Sequence, residues 1–151
     1  MPETPAISEP EGLDEFMTAY IEAALWSSMD NADDSGGEPL DRRYDQSDIA
    51  PDTLAQMRAD CIAFMNHKLG GRLIAIAERL EAEGRWSLPG GARCSVTDYA
   101  GHDFLLTRSG HGAGFWDGDW PRGIGEGLDR LAREFGVYNP YIGDDGLVYG
   151  C

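Results

Sequence analysis

Basic side chains are scarce: 12 Lys and Arg stand against 27 Asp and Glu in 151 residues, a formal net charge of −15. A surface so poor in cations cannot neutralise phosphates, because each phosphate contact needs a Lys or Arg, and anionic lipid repels it for the same reason. Direct nucleic-acid binding and membrane-surface binding are set aside on that ground. Cysteine is almost as sparse. Cys61, Cys94 and Cys151 are odd in number and widely spaced, which describes neither a disulfide framework nor a zinc ribbon, so reduced thiols are expected. Long apolar runs are missing as well: nothing approaches the roughly 18 to 20 residues that span a bilayer. The start, "MPETPAISEPEG", has neither the basic residues nor the apolar stretch of a signal peptide. The expected compartment is the cytoplasm.

What is abundant is negative charge, and it is placed unevenly. Residues 1–60 hold fifteen acids and only Arg42, Arg43 and Arg58 as bases, a net of −12, whereas the remaining twelve acids and nine bases leave −3. Strong net charge keeps a protein soluble whatever it does, and it also steers and holds a basic partner. Both readings stay open on charge alone.

Along the chain, residues 1–10, with Pro2, Pro5 and Pro10, read as a flexible tail ahead of a single domain over 11–151. Leu13, Phe16, Met17, Tyr20, Ile21, Ala24 and Leu25 recur at the spacing of one buried helical stripe. Residues 27–47 combine Asp, Ser, Gly and Pro and read as an exposed, carboxylate-rich loop. Pro51 suits the first turn of a second helix, whose apolar stripe runs from Leu54 to Leu80 across Gly70 and Gly71, where a bend is expected. Residues 84–101 read as a long connection around Trp86 and Tyr99. Pro121 opens another helix carrying Ile124, Leu128, Leu131, Ala132 and Phe135, with Gly136 as its terminator.

Two stretches read as hairpins. "YIGDDGLVYG" has apolar and aromatic arms around Asp145-Gly146. "DFLLTR" and "HGAGFW" flank Ser109-Gly110, which places Arg108 opposite His111, Phe104 opposite Phe115 and His102 opposite Asp117. In that ribbon His102 and His111 stand about 20 Å apart, too far to share a metal ion. The expected fold is therefore α+β, a small antiparallel sheet of two hairpins packed against two to four helices.

Chemical motifs are few. "NADDSGGEPLDR" fills the first, third, fifth and sixth places of a calcium loop with Asn31, Asp33, Ser35 and Gly36, but its twelfth place is Arg42 instead of a bidentate Glu. "GHGAG" and "GIGEG" match neither nucleotide fingerprint. No metal or cofactor is expected. His102, Asp103 and Asp117, with Asp119 nearby, have the composition of an acid/base site for a small hydrolase, and a cross-strand ion pair explains the same residues. Cys94 is a nucleophile only if a histidine approaches it. His67 reads as a surface residue, and Trp116 and Trp120 as aromatic residues that finish a core.

"HDFLLTRSGHGAGFWDGDW", with "NADDSGGEPLD" and "YIGDDGLVYG", resembles a group of small acidic proteins of unassigned role encoded by bacteriophages and prophages. The likeness covers about forty of the 151 residues. It implies a phage or mobile-element origin, residence in the cytoplasm of a bacterial host, and action by binding and blocking a host protein. It supplies no catalytic residues. The leading expectation is thus a non-enzymatic binder in which Asp30, Asp33, Asp34, Glu38, Asp41, Asp45 and Asp48 occupy the basic channel of a nucleic-acid-handling host protein, such as restriction or CRISPR machinery. The alternatives are the hydrolase and a structural homodimer that pairs through its aromatic residues.

Overall fold

A computed structural model describes residues 9–30, 38–88, 94–111 and 113–151, with Met29 and Asp30 as backbone only. Among them are five α-helices, α1 (Leu13–Ser27), α2 (Pro51–Asn66), α3 (Lys68–Ala82), α4 (Val96–Arg108) and α5 (Ile124–Glu134). Four short strands form two separate antiparallel pairs: β1 (Met29–Asp30) with β2 (Glu38–Pro39), and β3 (Pro140–Ile142) with β4 (Val148–Gly150). The class is α+β, with more helices than expected and no sheet common to both pairs. Residues 1–8 of the expected tail fall outside the described residues; Glu9 forms an ion pair with Arg58 of α2.

The apolar stripes place α1, α2 and α5 where periodicity puts them. In α1, Leu13, Phe16, Tyr20, Ile21, Ala24 and Leu25 are buried while Asp14, Glu15 and Glu22 stay exposed. Pro51 stands at the start of α2, where its missing N–H costs nothing. The expected bend at Gly70-Gly71 is instead a break at His67, whose extended backbone (φ −60°, ψ 135°) ends α2. The His67 ring then accepts the Leu69 N–H at 3.1 Å and caps α3. A side chain on Gly70 would overlap the Phe64 carbonyl, so the glycine lets α3 leave this corner close to the end of α2.

The largest correction concerns 102–116. "HDFLLTR" is the last half of α4, not a strand, and His102 does not face Asp117 across a ribbon. Ser95 opens this helix with a capping box: its hydroxyl accepts the Asp98 N–H at 3.0 Å, and the Asp98 carboxylate accepts the Ser95 N–H at 3.4 Å. Ser109-Gly110 closes it. The Gly110 N–H reaches the Thr107 carbonyl at 3.2 Å and the His111 N–H reaches that of Leu106 at 3.0 Å, the paired bonds of a Schellman motif. Gly110 takes φ +74°, which glycine alone adopts without cost.

Helix α4 is the centre of the molecule. Ten of its residues are buried, among them Val96, Ala100, Phe104, Leu105 and Leu106. It touches α1 so closely at Gly101 that any side chain there would overlap the Phe16 backbone carbonyl. Phe104 stacks on Phe64 of α2 at 4.2 Å and meets Phe135, beyond α5, edge-on at 5.0 Å. At the C-terminal end, the β3–β4 pair is tied to the start of α2 through Ala50, whose N–H donates to the Val148 carbonyl at 2.9 Å. That hairpin turns at Asp145-Gly146, as its sequence signals.

Candidate partner-binding surface

The polar residues of the 102–120 segment are drawn into structural hydrogen bonds. Asp103 is 1% exposed. One of its carboxylate oxygens accepts the indole N–H of Trp120 at 2.7 Å, and the other lies 3.0 Å from Nδ1 of the neighbouring His102. Burial pushes the Asp103 carboxyl up from the ordinary carboxylate range, and the bonds to His102 and Trp120 pull it part of the way back. Asp117 accepts the backbone N–H groups of Gly114 and Asp119 and holds the loop before α5. Asp119 accepts the Tyr99 hydroxyl at 3.0 Å on its side chain and the Trp86 indole N–H on its carbonyl. The structure thus brings His102 and Asp103 into direct contact, while Asp117 is hydrogen-bonded to neither and acts on Asp103 only through its charge.

The remaining candidates for chemistry are equally quiet. Burial, then the charge of Asp98, raises the Cys94 thiol, opposite to what an activated nucleophile requires. Among the described residues, no group of three or more His, Cys, Asp or Glu side chains is arranged to hold a metal ion. Trp120 is buried as expected, stacked with Trp86 at 5.5 Å, but Trp116 is half exposed.

Asp103 is a good test of this structural role. A carboxyl whose pKa rises on folding penalises the fold fully at pH above that raised value, and the penalty fades as pH falls towards the ordinary value of about 3.9. Asp103→Asn keeps an oxygen for Trp120 and removes the charge, so its stability at pH 7 is expected to lie within about 1 kcal/mol of the parent, or above it. The difference should shift in the parent's favour on acidification. Asp103→Leu leaves the Trp120 N–H buried without a partner and should lose about 1–3 kcal/mol. Urea unfolding at pH 7 and pH 5 measures both.

The front-half carboxylates have distinct fates. Asp33 and Asp34 lie outside the described residues, and of Asp30 only the backbone pairing with Glu38 is described. Glu38 forms an ion pair with Arg43 at 3.4 Å. Asp45 and Asp48 form a capping box around the 3-10 turn Gln46–Asp48: Asp45 accepts from Ser47, and Asp48 accepts the Asp45 N–H at 2.9 Å. The bonds from the Ser47 hydroxyl and N–H hold the Asp45 carboxyl below its usual range. Asp41 is exposed, on a 3-10 turn (Leu40–Arg42) that buried Leu40 pins to the end of α1 through its N–H bond to Ser28.

A wider acidic strip emerges only in three dimensions. Glu15, Thr18 and Glu22 share one exposed face of α1, because seven residues make almost two turns, and Glu15 and Glu22 stand about 10 Å apart along the axis. At one end of that face Glu11 and Glu15 line a depression with Glu78 and Glu81 of α3. At the other, Glu22 borders a groove with Asp41 and Asp45. Among the described residues, none of Glu11, Glu15, Glu22, Asp41, Glu78 and Glu81 forms an ion pair, although Glu15 and Glu78 accept hydroxyls from Ser95 and Thr97. Sequence reasoning missed Glu78 and Glu81 because their helix is remote in the chain.

The groove beyond Glu22 encloses about 560 Å³ between α1 and residues 41–46. Trp26, 56% exposed, forms one wall. His102 continues it, its ring 6.2 Å from the Trp26 ring and 6.0 Å from that of Tyr99. Trp26 stands off the buried stripe of α1, so helical spacing alone marks it as outward-facing. No protein-family model, curated protein or solved structure matches the chain.

Proposed function

We propose that the chain is a non-enzymatic, stoichiometric binder that blocks a basic, nucleic-acid-handling protein through the acidic strip along α1. The observation that carries this reading is the set of exposed carboxylates, contributed by α1, α3 and the 41–46 segment, that share one side of the molecule without ion-pair partners. Carboxylates so placed compete with phosphates for the same lysines and arginines. A phage-encoded protein directed at a host defence enzyme such as restriction or CRISPR machinery is the setting we propose for it. The hydrolase reading draws less support, because Asp103 is buried under Trp120 and Asp117 is bound to backbone.

The immobilised protein should capture a basic nucleic-acid enzyme from bacterial lysate at low salt. Capture should fail at ~0.5 M salt, where the Debye length is about 4 Å, and duplex DNA should release the bound enzyme. Reversing Glu15, Glu22 and Asp41 together to lysine is expected to weaken capture by roughly a hundredfold or more, about 1 kcal/mol for each site. Capture that survives these three reversals would overturn the proposal.

A further inference from the structure

The groove at the end of the strip differs from the rest of the acidic surface in having aromatic walls. Its base is apolar, formed by Ile21 and Leu25, whose side chains mostly face the core, with Trp26 and Tyr44 above them. Carboxylates of Glu22, Asp41 and Asp45 stand at its rim, and no Lys or Arg lines it. Asp45 gives one oxygen to Ser47; Glu22 and Asp41 have no hydrogen-bond or ionic partner among the described residues. The Trp26 indole is more than half exposed in this wall. Here it lies beside free negative charge and next to the His102 ring, which Asp103 holds through Nδ1.

An aromatic face flanked by two carboxylates fits a planar cation. A guanidinium stacks on an indole within about 6 Å of its centroid while its N–H groups remain in the ring plane, free to donate to carboxylates at the edge. An ammonium has no such plane and keeps its water more tightly. We propose that this groove is a socket for an arginine side chain of the partner protein, with the guanidinium on Trp26 and its N–H groups donating to Glu22 and Asp41. The inference rests on the acidic-strip reading for the nature of the partner, and it adds an anchoring residue with a chemical preference that salt-screened charge does not have.

The probe is a short peptide, acetyl-Gly-Arg-Gly-Arg-Gly-amide, with the lysine and citrulline versions as controls, titrated into the ¹⁵N-labelled full chain. The Trp26 indole resonance should move saturably with the arginine peptide. The lysine peptide should bind several-fold more weakly and the citrulline peptide should not bind. Glu22→Gln with Asp41→Asn should weaken the arginine peptide by roughly tenfold or more. Trp26→Ala should abolish saturable binding with its thermal midpoint unchanged, since the side chain lies outside the core. Equal affinity for lysine and arginine, shifts spread over the Glu15 and Glu78 surface, or undiminished binding to Trp26→Ala would each overturn the socket. The two proposals fail separately. Host-protein capture lost in the Glu15→Lys variant but unchanged in Trp26→Ala leaves the strip standing and removes the socket, whereas saturable arginine binding without any salt-sensitive host partner does the reverse.

Discussion

Arg108→Ala is expected to cost about 3–5 kcal/mol, the usual range when one member of a buried ion pair is removed. Arg108 is 7% exposed, yet every part of its guanidinium has a partner. Nη1 donates to the Tyr20 hydroxyl at 3.0 Å and to Asp60 at 2.8 Å; Nε donates to the Gly136 carbonyl and Nη2 to that of Phe135. One side chain therefore joins α1, α2 and α4 and satisfies two carbonyls just past α5, where a cation also favours the helix dipole. The rings of Phe104, Phe135 and Tyr138 surround it at 5.1–5.7 Å. Truncation strands two carbonyls in this enclosure and leaves the half-buried Asp60 carboxylate with only the Gln56 amide as donor among the described residues. Lysine keeps the charge but has no fork, so Arg108→Lys should recover only part of the loss. Burial drives the Tyr20 hydroxyl well above its ordinary range despite the guanidinium beside it, so it remains a neutral partner at any pH of interest. Chemical denaturation of the three proteins gives the order directly.

Phe64→Ala should be comparably severe, about 3–5 kcal/mol from lost burial plus the cavity left behind. Phe64 is fully buried and lies within 6.0 Å, ring to ring, of Phe16, Phe104, Phe115 and Phe135, so it touches α1, α4 and the segments on both sides of α5. For a chain of this length the loss corresponds to a fall in Tm of roughly 6–20 °C. Because Arg108 and Phe64 share Phe104 and Phe135 as neighbours, their effects should not add: a double-mutant cycle is expected to give a coupling of about 0.5–3 kcal/mol. Phe64→Leu, which refills much of the space, should recover most of the midpoint.

Periodicity makes α1, α2 and α5 legible because each has one wet face and one dry face. Helix α4 has almost no wet face. When burial surrounds a helix the 3.6-residue rhythm disappears, and "DFLLTR" becomes indistinguishable from a strand by pattern alone. Ser109-Gly110 compounds the ambiguity, since glycine with positive φ serves hairpin turns and helix ends alike. The readable signal is Ser95-Val96-Thr97-Asp98, a capping box that announces a helix fifteen residues before that glycine, set in a stretch dominated by Pro and Gly. For the candidate surface, the charge imbalance is visible in composition. Which carboxylates lie side by side depends on how α3 packs, and that no local pattern encodes.

The missing side chain at Gly101 brings the backbone of α1 against the innermost helix, with Phe16 on the seam and Glu15 and Glu22 on the opposite face. Those two anions therefore ride on a rail bolted to the core, and their separation is set before any encounter. If the chain binds as proposed, such a strip would act as a stiff ruler instead of a pliable sleeve, losing little disorder on docking. A partner whose cations match its spacing would then be held, while one that merely carries more charge would gain nothing from wrapping round it.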